Sequence, residues 1–127
     1  DPQEKGTSVY YAGVGPYIGE SLRLGEYLQA SLVAALRRSG YRAPDLGVLS
    51  DVGLKPYGTL YSLGQNPQFA RKGQWPGVVI EPLFLTNADD AAFLKRADAL
   101  DVIARGCARA IGAYFDVQRT WAMVEAY

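Results

Sequence analysis

The 127-residue sequence predicts an α/β fold in which helices cover a sheet. Three observations predict it. Leu24, Leu28, Leu32 and Leu36 recur every four residues, which lines one side of a helix with apolar side chains. Leu100, Ile103, Ala104, Cys107, Ala108, Ile111, Tyr114 and Phe115 repeat with the same helical period and predict a second buried face. Between these stretches, Gly77 to Ile80 is a short, β-branched run bounded by Pro76 and Pro82, the signature of a strand buried on both faces. The order strand, helix, strands, paired helices is that of the α/β class.

Each element has its own local reason. Asp1 to Gly6 is polar and reads as a loop, and Thr7 to Ala12 is β-rich and reads as a strand. Gly13 to Gly19, with Pro16, breaks that strand. Ser21 is placed to cap a helix running to about Arg38, which Gly40 ends in the usual glycine position. Leu22 and Val33 widen the leucine stripe, while Arg23, Glu26, Arg37 and Arg38 fall off it on a solvated face. Tyr41 to Tyr57 carries Pro44, Gly47, Gly53 and Pro56 and reads as loop with at most one short strand. Thr59 to Leu63 is a further strand and Gly64 to Gln74 a polar loop. After the Gly77–Ile80 strand, Asn87 with Asp89 and Asp90 marks a helix start, for a short helix from Ala88 to about Ala97. A longer helix spans Ala99 to Phe115. Asp116 to Tyr127 reads either as further helical turns or as an interface segment. So few strands leave helices uncovered, so further strands are expected outside this chain.

Composition bounds the chemistry. At 49% hydrophobic residues the chain builds a real core, and its length suits one domain or part of one. Thirteen basic and thirteen acidic residues cancel, so no nucleic-acid footprint or membrane-surface patch is indicated. No apolar run approaches the roughly 20 residues that span a bilayer. The single cysteine, Cys107, lies on an apolar stripe and reads as a buried structural thiol. There is no histidine. An ordinary zinc site within these residues and a Ser-His-Asp or Cys-His triad are therefore excluded. Chemistry here must run on carboxylates, lysines or tyrosines, or on groups from another segment.

Glu81 is the leading candidate. It closes the Gly77–Ile80 run, at the carboxyl end of a strand, where α/β sheets open their binding crevices. Burial raises a carboxylate's pKa, which suits acid–base work near neutrality. The competing reading is a solvated strand-end residue, or one paired with Arg or Lys. Trp75, beside that strand, is a candidate ligand contact or equally a core anchor. Lys55, Arg71 and Lys72 could meet substrate carboxylates, or be solvated loop charges. The tyrosines of the front half could stack on sugar rings, though packing with a wet hydroxyl is the simpler account. Gly13-Val-Gly15 lacks the third glycine of a dinucleotide fingerprint.

The order of pieces resembles the carboxyl-terminal half of the zinc-dependent N-acetylmuramoyl-L-alanine amidases, from about Gly6 to Phe115. Gly6-Thr-Ser-Val-Tyr-Tyr11 resembles the strand after that family's second histidine ligand, and residues 21–40 the helix that follows. Asp51-Val-Gly-Leu-Lys55, with Leu60-Tyr-Ser-Leu63, is similar to its basic-glycine turn and next strand. Pro76-Gly-Val-Val-Ile-Glu81-Pro-Leu-Phe-Leu-Thr-Asn87 resembles its Pro-apolar-apolar-apolar-Glu-x-x-Phe-x-Ser/Thr-Asn signature. Ile103-Ala104 and Ile111-Gly-Ala-Tyr-Phe115 resemble its last helix.

The resemblance implies a mixed sheet covered by helices, here the carboxyl-terminal part of the catalytic domain. Residues 1–127 form one domain portion with its core over 6–115, and 116–127 is an extension without an assigned role. It implies hydrolysis of the amide joining N-acetylmuramic acid to L-alanine in peptidoglycan, with Glu81 as catalytic acid and base. Zinc is the implied cofactor, its ligands supplied by an amino-terminal half outside this chain. That half and peptidoglycan are the implied partners, without nucleic acid or a membrane span, in the cell envelope, periplasmic or secreted. Pro82-Leu83-Phe84 departs from the family's usual x-Gly-Phe after the glutamate. A metal-free peptidoglycan-binding or regulatory module on the same fold is the alternative.

Overall fold

A computed structural model describes residues 1–54 and 75–125, with side chains through Val117. Six elements follow in order: β1 (Thr7–Tyr11), α1 (Ile18–Arg38), β2 (Asp45–Ser50), β3 (Val78–Glu81), α2 (Ala88–Leu94) and α3 (Ala99–Glu125). The described strands form one mixed sheet of order β2-β1-β3, with β2 parallel and β3 antiparallel to the central β1. The strand expected at 59–63 and the loop at 64–74 lie outside the described residues.

β1 gives the sheet two unlike faces. Val9 pairs with Val48 and Ile80, and Tyr11 with Val78, so these side chains share one face. α1 lies across it at close range, because Gly25 lets its backbone approach. A Cβ there would sit 2.9 Å from a Val48 methyl and 3.5 Å from one of Val9. The leucine stripe does what its spacing predicts: Leu28, Leu32 and Leu36 are buried, and each contributes roughly 1.5–3 kcal/mol by leaving water. Leu24 packs half-buried beside them, and Arg23, Glu26, Arg37 and Arg38 are exposed.

Several boundaries differ from the sequence reading. α1 begins at Ile18, three residues before Ser21, and Tyr17 at its cap position makes no side-chain cap bond. Ser21 is buried inside the first turn, and its Oγ accepts a hydrogen bond from Gly77 N at 3.1 Å, tying the helix to the start of β3. The C-terminal end is as expected, with Gly40 at φ +88°, a region that glycine enters without strain. Residues 41–54 hold a full strand, β2. A bulge at its start allows Pro44 and Gly47 to coexist with the ladder: Thr7 pairs with Asp45 and Ser8 with Gly47, which takes φ +86°.

β3 is half-buried along its length rather than sealed on both faces, since it pairs with β1 on one side only among the described residues. α3 continues to Glu125, so residues 116–125 are helical turns. Its buried face matches the expected stripe at Tyr114, and at Ile103 and Cys107, which pack half-buried against the core, but not at its other large residues. Ala99, Gly106, Ala110 and Tyr114 are buried, while Leu100 (75%), Ile111 (44%) and Phe115 (53%) are exposed. The reason is helix–helix distance. A Cβ on Gly106 would lie 3.2 Å from Ala35 Cβ and 3.4 Å from Leu32 Cα, and Ser31 Oγ donates to Gly106 O at 2.8 Å. Contact that close selects small residues. Cys107 is half-buried next to this seam, and burial pushes its thiol pKa up, as befits a structural role.

Candidate functional site

The other face of the sheet carries Ser8, Tyr10, Leu49 and Glu81, placed together by register. Ser8 lies opposite Glu81 in the antiparallel pair, and Tyr10 opposite Leu49 in the parallel one. These side chains line a cleft of about 540 Å3, closed by Pro44 and Leu46 from the β2 bulge, by Phe84, and by Gln3, Glu4 and Lys5. Glu81 is half-buried there and enters no ion pair among the described residues.

The position has a different cause from the one the sequence suggested. The crevice rule applies to the carboxyl ends of parallel strands. β3 runs antiparallel, so Glu81 lies at the amino end of β1. The cleft exists because residues 1–6 extend from β1 beside residues 82–87, which extend from β3. Hydrogen bonds stitch these extensions and α2 together. Thr86 Oγ1 donates to Asp1 O (3.3 Å), Asn87 Nδ2 to Pro2 O (2.9 Å), and Gly6 N and Phe84 N each to Asp90 Oδ2 (2.9 Å). Asp90 is fully buried and also accepts from the Tyr41 hydroxyl. Asn87 caps α2 as predicted, its Oδ1 accepting from Asp89 N at 3.1 Å and Asp90 N at 3.3 Å.

Tyr10 reports the field inside the cleft. Burial, then the charge of Glu81, then that of Glu4, hold its phenol pKa above the ordinary value. Both carboxylates act on this hydroxyl through their charge, and Lys5 also lines the cleft, its ammonium held by Asp89 at 3.2 Å. Glu4, Ser8 and the cleft position of Tyr10 were not legible as site features, because only strand register brings them to Glu81. Trp75 is not among them. It is 54% exposed and precedes β3, at the end away from Glu81, and it does not line the cleft. Lys55, Arg71 and Lys72 lie outside the described residues.

The chain has no histidine, and no group of three or more His, Cys, Asp or Glu among the described residues could hold a metal ion. No described helix is long and apolar enough to cross a membrane.

No protein-family model matches the chain, and no curated protein matches it. Solved structures do. An N-acetylmuramoyl-L-alanine amidase from Clostridium difficile 630 superposes with a TM-score of 0.66 at 18% identity, over 91% of this chain and 51% of that one. The catalytic domain of the amidase CwlV from Bacillus (Paenibacillus) polymyxa var. colistinus gives 0.63 at 21% identity, over 92% and 52%. The CwlD amidase of Clostridioides difficile, solved in complex with the GerS lipoprotein, gives 0.68 at 20% identity, over 92% and 49%. The chain spans about half the length of these three structures. Its mixed three-stranded sheet and helices have the fold of that half of an amidase catalytic domain.

Proposed function

We propose that this chain is the glutamate-bearing half of a zinc-dependent peptidoglycan amidase, which hydrolyses the amide between N-acetylmuramic acid and L-alanine. The zinc ligands belong, on this reading, to an amino-terminal half outside these 127 residues, since this chain cannot supply them. The observation that carries the proposal is Glu81, which lines a cleft and enters no ion pair among the described residues, in a fold shared with solved amidases.

Glu81 has the chemistry for the proton traffic of amide hydrolysis. A carboxylate takes a proton from the attacking water as the carbon–oxygen bond forms. It returns that proton to the amide nitrogen as the carbon–nitrogen bond breaks, so that the amine leaves neutral. The Tyr10 hydroxyl can donate a hydrogen bond to a substrate oxygen in the same cleft. Lys55 is carried forward as a candidate contact for stem-peptide carboxylates. Trp75 is carried forward only for a contact beyond the cleft. The substrate places the protein in the cell envelope, periplasmic or secreted.

Co-expression with the amino-terminal half, followed by metal analysis and release of dye from labelled cell walls, tests the proposal. Stoichiometric zinc and dye release are expected. Glu81→Gln should lower release by about 10²–10⁴-fold while leaving wall binding and folding intact. A completed protein that binds walls but holds no metal and releases nothing would instead be a binding module, and the enzyme reading would fall.

A further inference from the structure

Residues 1–6 carry one wall of the cleft, and what holds that wall is a single short segment, Thr86 to Asp90. Gln3, Glu4 and Lys5 line the cleft together with Glu81. Behind them, Asp1 O is bound by Thr86, Pro2 O by Asn87, Lys5 by Asp89 at 3.2 Å, and Gly6 N by Asp90. These contacts join residues more than eighty positions apart in sequence. Asn87 is the informative member, because the two ends of its amide have separate tasks. Its oxygen caps α2, and its nitrogen donates to Pro2 O. Capping needs only an acceptor, which Asp or Ser supplies equally well. The bond to Pro2 needs a donor, which a carboxylate lacks.

We infer that Asn87 is a positioning residue: through Pro2 it holds residues 3–5 at a fixed distance from Glu81, and so sets the width of the cleft. The inference rests on the amidase reading for its consequence in turnover, but the clamp itself can be measured without it. When the clamp is lost, α2 stays capped while the wall opposite Glu81 drifts. Turnover then falls because the reacting groups are misplaced, and substrate capture by the rest of the protein persists.

The test is Asn87→Asp, with Asn87→Ser as a second variant that caps without adding charge and cannot reach Pro2. In this chain both should leave the thermal midpoint within a few degrees of the parent. Both should speed hydrogen exchange at the Glu4 and Gly6 amides by about tenfold, because their segment opens more easily once the Asn87–Pro2 hydrogen bond is lost, although Asp1 and Asp90 still bind them. In the completed protein, kcat for dye release should fall by about tenfold or more with KM little changed. Unchanged exchange would overturn the clamp. Faster exchange with unchanged kcat would overturn the positioning role. An unmutated completed protein that releases nothing would refute the amidase reading instead, and the exchange result would still decide whether the clamp exists.

Discussion

Alternate residues of β1 enter two regimes. Val9 turns toward α1 and is fully buried among Leu28, Ala110 and Ile80, whereas its neighbour Tyr10 lines the cleft beside Glu81 and Glu4. On the first face the packing is close enough that one added methyl matters. On the second, polar groups meet across open space, and their placement comes from hydrogen bonds in the flanking extensions. On the proposed function, stability and chemistry are carried by opposite sides of one strand. Mutations on the two faces should therefore separate cleanly, with folding energy lost on one and turnover on the other.

The largest effect on the packed side should come from Leu32→Ala. Leu32 is fully buried and touches the seam with α3, where Gly106 brings the two helices together. A loss of about 2–5 kcal/mol is expected from lost transfer energy and the cavity left behind. Urea unfolding measures it. A loss below about 1 kcal/mol would mean that α3 collapses into the space and that the seam is looser than its spacing implies. Any protein that remains folded should keep the cleft amides of Glu4 and Gly6 protected, because Asp1 and Asp90, not the core, bind them.

Gly25→Ala tests the same face by addition. The new methyl would meet Val48 and Val9, whose branched side chains have little rotamer freedom. Overpacking costs about 1–3 kcal/mol, against a helix-propensity gain of about 1 kcal/mol. A net loss on the order of 1 kcal/mol is expected in the same unfolding measurement. A stabilised variant would show that the sheet yields and that close approach at Gly25 is not required.

What the sequence could show follows the same division. α1 was readable because large side chains fill the space on its buried side, so Leu28 against the sheet, and Leu32 and Leu36 against Ala43, Phe93 and Ala99, mark that side themselves. α3 misled because it packs on another helix at short range. There Gly106 and Ala110 are the contact, and the bulky Leu100 and Phe115 remain outside. Large residues indicate a buried face only when the partner stands far enough away to need them. At the site, Glu81 and the Asn87 cap were legible because their signals are local. The partners of Asn87 and Asp90 were not, since Pro2 and Gly6 lie at the far end of the chain and nothing local encodes the pairing. The direction of β3 was equally hidden, because an apolar run reads the same in either orientation.

One last substitution sharpens the comparison where the two regimes meet. Tyr41 stacks its ring on Phe93 in the core, at 4.8 Å between centroids, while its hydroxyl donates to Asp90 behind the cleft. Tyr41→Phe keeps the stack and deletes the donor, leaving Gly6 N and Phe84 N on the Asp90 carboxylate. The cost should be about 1–2 kcal/mol near neutral pH. It should also depend on pH in a defined direction. Burial first, and then the bond to Asp90, raise the Tyr41 pKa above its ordinary value of 10.0, so the fold favours the protonated phenol. That preference contributes fully below pH 10 and is lost as pH rises above it, where the unfolded chain ionises and the native one resists. The stability gap between the parent and Tyr41→Phe should thus be flat from pH 7 to 9 and narrow above pH 10, as read by urea midpoints at each pH. A gap that widens with alkali would place the phenol outside the Asp90 network and detach the core from the clamp behind Glu81.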